Sequence, residues 1–141
     1  MSPEFEMGIQ LHLPTFRHVS LPGFIDFGRM ARAGGISQLW VTDNLRSRNP
    51  FVVLTALAAN VPLKLGTAIT VQYFRNPVDV ADSVAAITEL MDGREFGLGL
   101  ARGNRNTPRF VQVVKPISML RETAMSVRRL LAGEAVKFAD Y

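Results

Sequence analysis

Residues 63–82, LKLGTAITVQYFRNPVDVAD, place an apolar stretch, a polar loop and a helix start in that order. A strand is predicted over Leu63–Ile69, because a short apolar run ends there at polar residues. Asn76 can cap a helix with its side chain, and Pro77 suits the first helical turn because its missing N–H needs no partner there. Asp79 then lies where the helix dipole favours an anion. This stretch therefore predicts one strand–loop–helix unit.

The same unit occurs four times along the chain. Strands are predicted at Gly8–Leu13, Ile36–Thr42, Leu63–Ile69 and Glu95–Leu100, and helices at Leu21–Ala33, Phe51–Asn60, Pro77–Met91 and Pro116–Leu131. Short turns that contain glycine or proline return each of the first three helices to the next strand. Alternating strands and helices predict an α/β protein with a parallel sheet and right-handed crossovers.

Two architectures accommodate four such units. An open doubly wound sheet needs four or five strands, whereas a closed barrel needs about 250 residues, so the length of 141 residues alone favours the open sheet. The strand-end residues discussed below favour a (β/α)4 half-barrel, four units of a TIM-barrel fold. We predict one domain over residues 7–141, with an extended tail from Val136, and interpret residues 1–6 as cloning-derived.

Composition removes several classes of function. The absence of cysteine excludes disulfides and thiolate metal sites and fits a cytoplasmic protein, and two histidines give no support for a metal site. No apolar run approaches the roughly 20 residues of a membrane span. The net charge of +4 comes from arginines spread over several loops, and Trp40, Phe51 and Phe96 lie in elements predicted to form the core. A nucleic-acid surface is therefore not expected.

Polar side chains concentrate in the four loops that follow the strands. These loops are residues 12–18, 43–48, 70–75 and 101–109, and in parallel α/β folds ligands bind beyond the carboxyl ends of the strands. The segment GLGLARG, residues 97–103, is similar to a dinucleotide fingerprint. Its third glycine comes one residue late, no helix starts there, and the first strand lacks the motif, so a nicotinamide Rossmann site is rejected.

Three segments resemble the luciferase-like monooxygenase superfamily in order and spacing. They are WVTDN at residues 40–44, LGTAITVQYFRNP at residues 65–77 and GREFGLGLARG at residues 93–103. The second is similar to the branch that uses a deazaflavin coenzyme, and the Arg-Gly ending of the third is closer to bacterial luciferase. The resemblance covers nearly the whole chain after Met7 and corresponds to the N-terminal half of the family's barrel.

The resemblance implies a cofactor site at the ends of the third and fourth strands. In the family a flavin ring rests on a non-prolyl cis peptide bond, which the match places at Ala68-Ile69, followed by Thr70. Without the resemblance these residues would indicate an ordinary buried strand. Arg102 matches an arginine that contacts the flavin phosphate, although a solvated loop arginine is the alternative. Gly103 and Asn104 in the same loop can offer amide donors.

The catalytic candidates are Asp43, Asn44 and His12. The deazaflavin branch usually has Asp-His where this chain has Asp43-Asn44, and an amide cannot titrate, so acid–base chemistry by that histidine is lost here. Asp43 can orient a substrate or simply begin a turn. His12, at the end of the first strand, can reach the cofactor ring or substrate, or serve as a hydrogen-bonded core residue.

The resemblance implies an oxidoreductase that uses FMN or the deazaflavin coenzyme F-420 on a small-molecule substrate, by hydride transfer or oxygen activation. Arg102 favours FMN, and the third strand favours the deazaflavin. A half-barrel leaves two sheet edges and an apolar face uncovered, so we expect a homo-oligomer. The alternatives are a non-catalytic half-barrel module for dimerisation or binding, and an inactive truncated fragment.

Overall fold

The computed structural model describes residues 5–45 and 47–137. Its elements, in chain order, are β1 (Gly8–Leu11), α1 (Leu21–Ala33), β2 (Gln38–Val41), α2 (Pro50–Asn60), β3 (Lys64–Val71), α3 (Pro77–Glu89), β4 (Phe96–Ala101), a 3-10 turn (Thr107–Arg109) and α4 (Pro116–Leu131). The four predicted strand–helix units are confirmed, and α1 and α4 have the predicted bounds. The domain limits at residues 7 and 141 stay a prediction.

The sheet has the strand order β1-β2-β3-β4, and every neighbouring pair is parallel. Right-handed crossovers in an unreversed order put all helices on one face, whereas a doubly wound sheet reverses its order and has helices on both faces. Consistent with this, α1 packs on α2, α2 on α3 and α3 on α4. The fold is therefore an arc of a (β/α) barrel, and the open sheet favoured by chain length is wrong.

The hydrophobic core lies between the convex face of the sheet and the helices. Leu39, Val41 and Leu65 point from the strands into this layer, and Leu54 and Leu57 of α2 meet them there, all 0–1% exposed. Central α2 is packed between α1 and α3, which confirms the prediction that this apolar helix is buried on more than one side.

The starts of α1, α2 and α3 follow from local capping. Ser20 Oγ accepts a hydrogen bond from Gly23 N at 3.2 Å, Asn49 Oδ1 from Phe51 N at 3.0 Å, and Asn76 Oδ1 from Val78 N at 2.8 Å. Each cap is followed by a proline in the first turn. The side-chain acceptor and the proline together remove main-chain donors that would otherwise lack partners.

Arg94 binds the C-terminal ends of α2 and α3, at the end of the sheet opposite to the strands' carboxyl ends. Its guanidinium donates to five main-chain carbonyls, those of Ala58, Val61, Leu63, Leu90 and Met91. These carbonyls lie at or just beyond the C-terminal ends of α2 and α3, where helical carbonyls lack partners and a cation is favoured. One side chain therefore fixes the connections that lead into β3 and β4.

Trp40 occupies the concave face of the sheet rather than the predicted core. Its register partner on β3 is Gly66, whose partner on β4 is Gly97, and a Cβ atom on either glycine would overlap the indole ring. A Cβ atom on Gly99 would collide with the carbonyl oxygen of Thr67. The two glycines of the GLG pattern, Gly97 and Gly99, thus allow the Trp40 ring and the Thr67 carbonyl group to pack closely against β4.

A charged cluster lies at the N-terminal end of the same face. Lys64 Nζ contacts Glu6 Oε1 at 2.7 Å and Glu95 Oε2 at 3.0 Å, and Gln38 Nε2 donates to Glu6 Oε2 at 2.6 Å. The hydrogen bond with Lys64 lowers the pKa of Glu6, and the bonds with Glu6 and Glu95 raise the pKa of Lys64. The Trp40 Nε1 atom donates to Gln38 Oε1 at 3.1 Å, which links the indole to this cluster.

Several element ends differ from the sequence predictions. β1 stops at Leu11, because the chain turns where Thr15 N donates to His12 O at 2.9 Å. β3 ends two residues later than predicted, at Val71, because pairing with β4 resumes after a bulge between Thr67 and Thr70. β2 is shorter at both ends, α3 ends at Glu89, and the 3-10 turn was not predicted. Most of the predicted tail lies outside the described residues.

We predict that Gly97→Ala destabilises the chain by about 1 to 3 kcal/mol, because the new methyl group must displace the indole of Trp40. The check is urea unfolding followed by fluorescence of Trp40, the only tryptophan in the sequence. Gly34→Ala is the matched control. Gly34 has φ −82°, and a methyl group there would come no closer than 3.4 Å to another atom, so a change below about 0.5 kcal/mol is expected. Equal losses in both variants would contradict the packing argument.

Candidate functional site

A cavity of about 660 Å³ opens at the carboxyl ends of the strands and is lined from all four strand-end loops. This volume lies within the range of small-molecule and cofactor sites. Seven of the nine predicted site residues line it, namely His12, Asp43, Asn44, Ala68, Ile69, Gly103 and Asn104. The other two, Thr70 and Arg102, are not among the lining residues.

The floor of the cavity is formed by Ala68 and Ile69. The peptide bond between them is cis, at the position that the resemblance implied. The Gln10 side-chain amide donates to the Ala68 carbonyl oxygen, and Asp43 N donates to the Ile69 carbonyl oxygen at 3.0 Å. The exposed part of the floor is therefore largely apolar, because both carbonyl groups are already bound, one by Gln10 of β1 and the other by the main chain just after β2.

Thr70 lies on the other side of β3. Ile69 and Val71 line the cavity, so the alternating pleat directs the residue between them away from it. The side chain of Thr70 is fully buried, and Oγ1 has no hydrogen-bond partner within the described part of the chain. The structure thus gives no contact by which the Thr70 hydroxyl could hold a cofactor in this cavity.

Asp43 is held by an ion pair that the local sequence pattern does not predict. Arg75 donates from Nε to Asp43 Oδ2 and from Nη2 to Asp43 Oδ1, both at 2.9 Å, and the Asp43 side chain is 0% exposed. The guanidinium also stacks over the Phe51 ring, with Cζ 5.6 Å from the ring centroid. The hydrogen bonds with Asp43 raise the pKa of Arg75, and its partial burial opposes this. Asp43 thereby holds the end of β2 against the loop after β3.

The wall beside β1 and β2 carries His12 and Asn44. The His12 ring is hydrogen-bonded to Thr15 Oγ1 through Nδ1 at 2.9 Å, and Nε2 makes no hydrogen bond within residues 5–45 and 47–137. The Asn44 carbonyl oxygen accepts hydrogen bonds from Ser47 N at 3.1 Å and from Ser47 Oγ at 3.0 Å, which turns the chain after β2. An imidazole, unlike an amide, belongs to the groups that can exchange a proton, which distinguishes His12 from Asn44 on this wall.

The loop after β4 is a tight turn built on Gly103. Its φ of 87° is suited to glycine, and a Cβ atom there would overlap Thr107 Oγ1. Thr107 Oγ1 accepts from Asn104 N at 2.9 Å, and Asn104 Oδ1 accepts from Asn106 N at 2.8 Å. The Asn104 main-chain amide is thus used within the loop, and its side-chain Nδ2, which donates to no other residue that the structure describes, is left for a ligand.

The arginines of this loop differ in position. Arg102, the predicted phosphate contact, is exposed and does not line the cavity, whereas Arg109 of the 3-10 turn does. Arg17, in the loop after β1, also lines the cavity. Neither Arg17 nor Arg109 was predicted from the sequence, because exposed loop arginines carry no local signal of the direction in which they point.

Contacts from the β3 loop hold the long loop that precedes α4. Phe74 and Phe110 meet edge to face with ring centroids 6.4 Å apart, and both line the cavity. Tyr73 Oη donates to Val114 O at 2.8 Å, and Gln72 Nε2 donates to Pro116 O at 2.9 Å. The aromatic wall of the cavity is therefore anchored to β3.

These residues suit a planar ring with an anionic tail. The small or apolar side chains of Ala68, Ile69 and Ala101 leave a low apolar floor, and Asn104 Nδ2 and the Arg109 guanidinium supply donors beside it. No three His, Asp or Glu residues in the described ranges gather in a way that could hold a metal ion. Nor does any described helix combine the length and apolar character needed to cross a membrane.

A cavity at this end of a parallel (β/α) arc is the ligand site of barrel enzymes. The family described as luciferase-like monooxygenase matches residues 7–140, and the chain belongs to this family of oxidoreductases. The 5,10-methylenetetrahydromethanopterin reductase of Methanolobus tindarius is 33% identical over 113 residues, which cover 78% of this chain and 34% of the relative. The chain thus spans about a third of that relative's length.

Solved structures show the same fold. The coenzyme F-420-dependent tetrahydromethanopterin reductase from Methanopyrus kandleri superposes with a TM-score of 0.80 at 23% identity, covering 97% of this chain and 43% of that one. The oxygenating constituent of 3,6-diketocamphane monooxygenase from Pseudomonas putida, in complex with FMN, superposes with a TM-score of 0.72 at 14% identity. This match covers 89% of this chain and 40% of that one. The half-barrel assignment is confirmed by these superpositions.

We predict that Asp43→Asn lowers the free energy of unfolding by about 2 to 4 kcal/mol, because it leaves the Arg75 guanidinium without its buried carboxylate. Asp26→Asn is the control, since Asp26 forms an exposed pair with Arg29 and should cost at most about 0.5 kcal/mol. Both are measured by urea unfolding. Similar small losses in the two variants would show that the buried pair is not important for stability.

Proposed function

We propose that this chain forms the cofactor-binding half of an oxidoreductase site that takes FMN or the deazaflavin coenzyme F-420 and a small-molecule substrate. The observation that carries the proposal is the apolar Ala68–Ile69 floor, enclosed by donors from the loops after β1, β2 and β4. The related structures support both cofactors, because one is of an F-420-dependent enzyme and another holds FMN.

Either cofactor, when bound, would supply the redox chemistry, as hydride transfer or, for FMN, oxygen activation. The protein binds and orients. Ala68 and Ile69 would support the ring, and Asn104 Nδ2, Gly103 and Arg109 would hold the tail at the β4 side. Arg102 stays the contact implied by the family resemblance, as a second cation on the same loop.

We propose that His12 gives or takes a proton at Nε2, because its Nδ1 is already bonded to Thr15 and the ring lines the cavity. Asp43 acts as a positioning residue, because both of its carboxylate oxygens are bound by Arg75. Asn44 can orient a substrate through its amide but cannot titrate. A cytoplasmic location stays a prediction from the cysteine-free composition.

We predict that the protein binds FMN or F-420 in a fluorescence titration, and that Arg109→Gln weakens the affinity about tenfold through loss of a charge-assisted contact. Arg105→Gln, an exposed neighbour that does not line the cavity, should leave the affinity unchanged. Arg102→Gln in the same series tests the family-implied contact. If neither cofactor binds the folded wild type, the proposed function is wrong for this chain.

We also propose that a second copy of the chain covers the two open flanks of the half-barrel. β1 and β4 are the edge strands of the described sheet. Next to β1, a groove of about 360 Å³ is lined largely by apolar residues of α1 and its preceding loop, with Met30 at 66% exposed. On α4, Ile117 and Met125 are 75% and 53% exposed. Two copies with eight strand–helix units can match one flank to the other around a twofold axis.

We predict that light scattering at micromolar concentration gives a dimer, and that Met30→Glu and Ile117→Glu each give monomers, because both place a charge in the apolar contact. Val52→Glu is the control, because Val52 is 50% exposed on α2, away from both flanks. A wild-type monomer, or equal dissociation by all three variants, would contradict self-association through these flanks.

A further inference from the structure

The cavity has a cation on each of two opposite sides. Arg17 lies in the loop after β1, and Arg109 lies in the 3-10 turn after β4. β1 and β4 are the two ends of the sheet order, and the Ala68–Ile69 floor lies on β3 between them. The two arginines therefore line the cavity from separate walls, and one small anion is not expected to bind both.

Neither cation is neutralised by an acidic residue among those that line the cavity in the described part of the chain. Asp43 is the one acidic residue of that lining, and Arg75 binds both of its carboxylate oxygens. Arg17 donates through Nε to His18 Nε2 at 3.0 Å rather than to a carboxylate. This contact uses Nε and leaves the two terminal Nη groups of Arg17 for a ligand, since neither donates to a partner within the described residues. A planar guanidinium with paired donors matches carboxylate or phosphate oxygens.

We infer that the substrate enters on the β1 side and carries a carboxylate or phosphate group that the Arg17 Nη atoms bind. The inference rests on the proposed function, because the cofactor's tail takes the Arg109 side and leaves Arg17 for the second reactant. The anionic group would anchor the substrate beside His12, the proton-exchanging side chain of the same wall. Arg17 thereby selects anionic over neutral substrates.

The test uses benzoate and benzamide, a carboxylate and its neutral analogue of nearly the same shape, titrated into the full chain and followed by the 1H–15N resonances of residues 12–18. Benzoate should bind measurably more tightly than benzamide. Arg17→Gln should weaken benzoate about fivefold, as expected for an exposed charge pair. Arg17→Lys, which keeps the positive charge but lacks the paired N–H donors of a guanidinium, should recover part of the lost benzoate affinity. Arg32→Gln, an exposed residue of α1, should change nothing.

Separate titrations with FMN and F-420 distinguish this inference from the proposed function. Arg17→Gln should leave cofactor affinity unchanged, whereas Arg109→Gln weakens it. Equal binding of benzamide and benzoate, or an unchanged benzoate affinity in Arg17→Gln, overturns the anion site. Loss of cofactor affinity in Arg17→Gln overturns its assignment to the substrate. Benzoate binding that depends on Arg17 in a protein that binds neither cofactor supports the anion site and rejects the proposed function.

Discussion

The bidentate ion pair between Asp43 and Arg75 is the constraint on which the cavity depends. It joins the end of β2 to the residue just before the Asn76 cap of α3, and the Asp43 amide is bonded to Ile69 O at the cavity floor. A buried carboxylate without its partner would be costly, so other arrangements of these loops are disfavoured. The position of the floor relative to the β2 wall therefore follows from one pair of side chains whose residues are far apart in the sequence.

Small residues set the shape of the concave face. Gly66 and Gly97 leave room for the Trp40 indole, and Gly99 allows close approach to the Thr67 carbonyl at the β3 bulge. The indole fills the space that these two glycines leave on the concave face. At the opposite end of the strands Arg94 binds the helix ends. The packing of Trp40 against the glycines and the ion pair between Asp43 and Arg75 together hold β3, the strand that carries the floor of the cavity.

The sequence predicted best what depends on neighbouring residues. The bounds of α1 and α4 are correct because their start and stop signals act within a few positions: Ser20 caps α1, Pro116 begins α4, and a glycine follows each helix. Strand ends were less accurate, since they depend on pairing with other strands. The orientation of Thr70 depends on the pleat after the bulge, and the partner of Asp43 lies 32 residues away. The local sequence pattern predicts neither the orientation of Thr70 nor the partner of Asp43. It likewise does not predict that Arg17 and Arg109 line the cavity.

The anchoring of the β4–α4 loop has a consequence for how this site can be varied. Tyr73 and Gln72 hold that loop through the carbonyl oxygens of Val114 and Pro116, which are main-chain atoms. Phe110 is the residue of this segment that lines the cavity, and its side chain makes neither of those two bonds. A substitution of Phe110 would lose the ring contact with Phe74 but keep both main-chain anchors. Phe110 is therefore the position of this wall where specificity can be redesigned, with β3 as the fixed support.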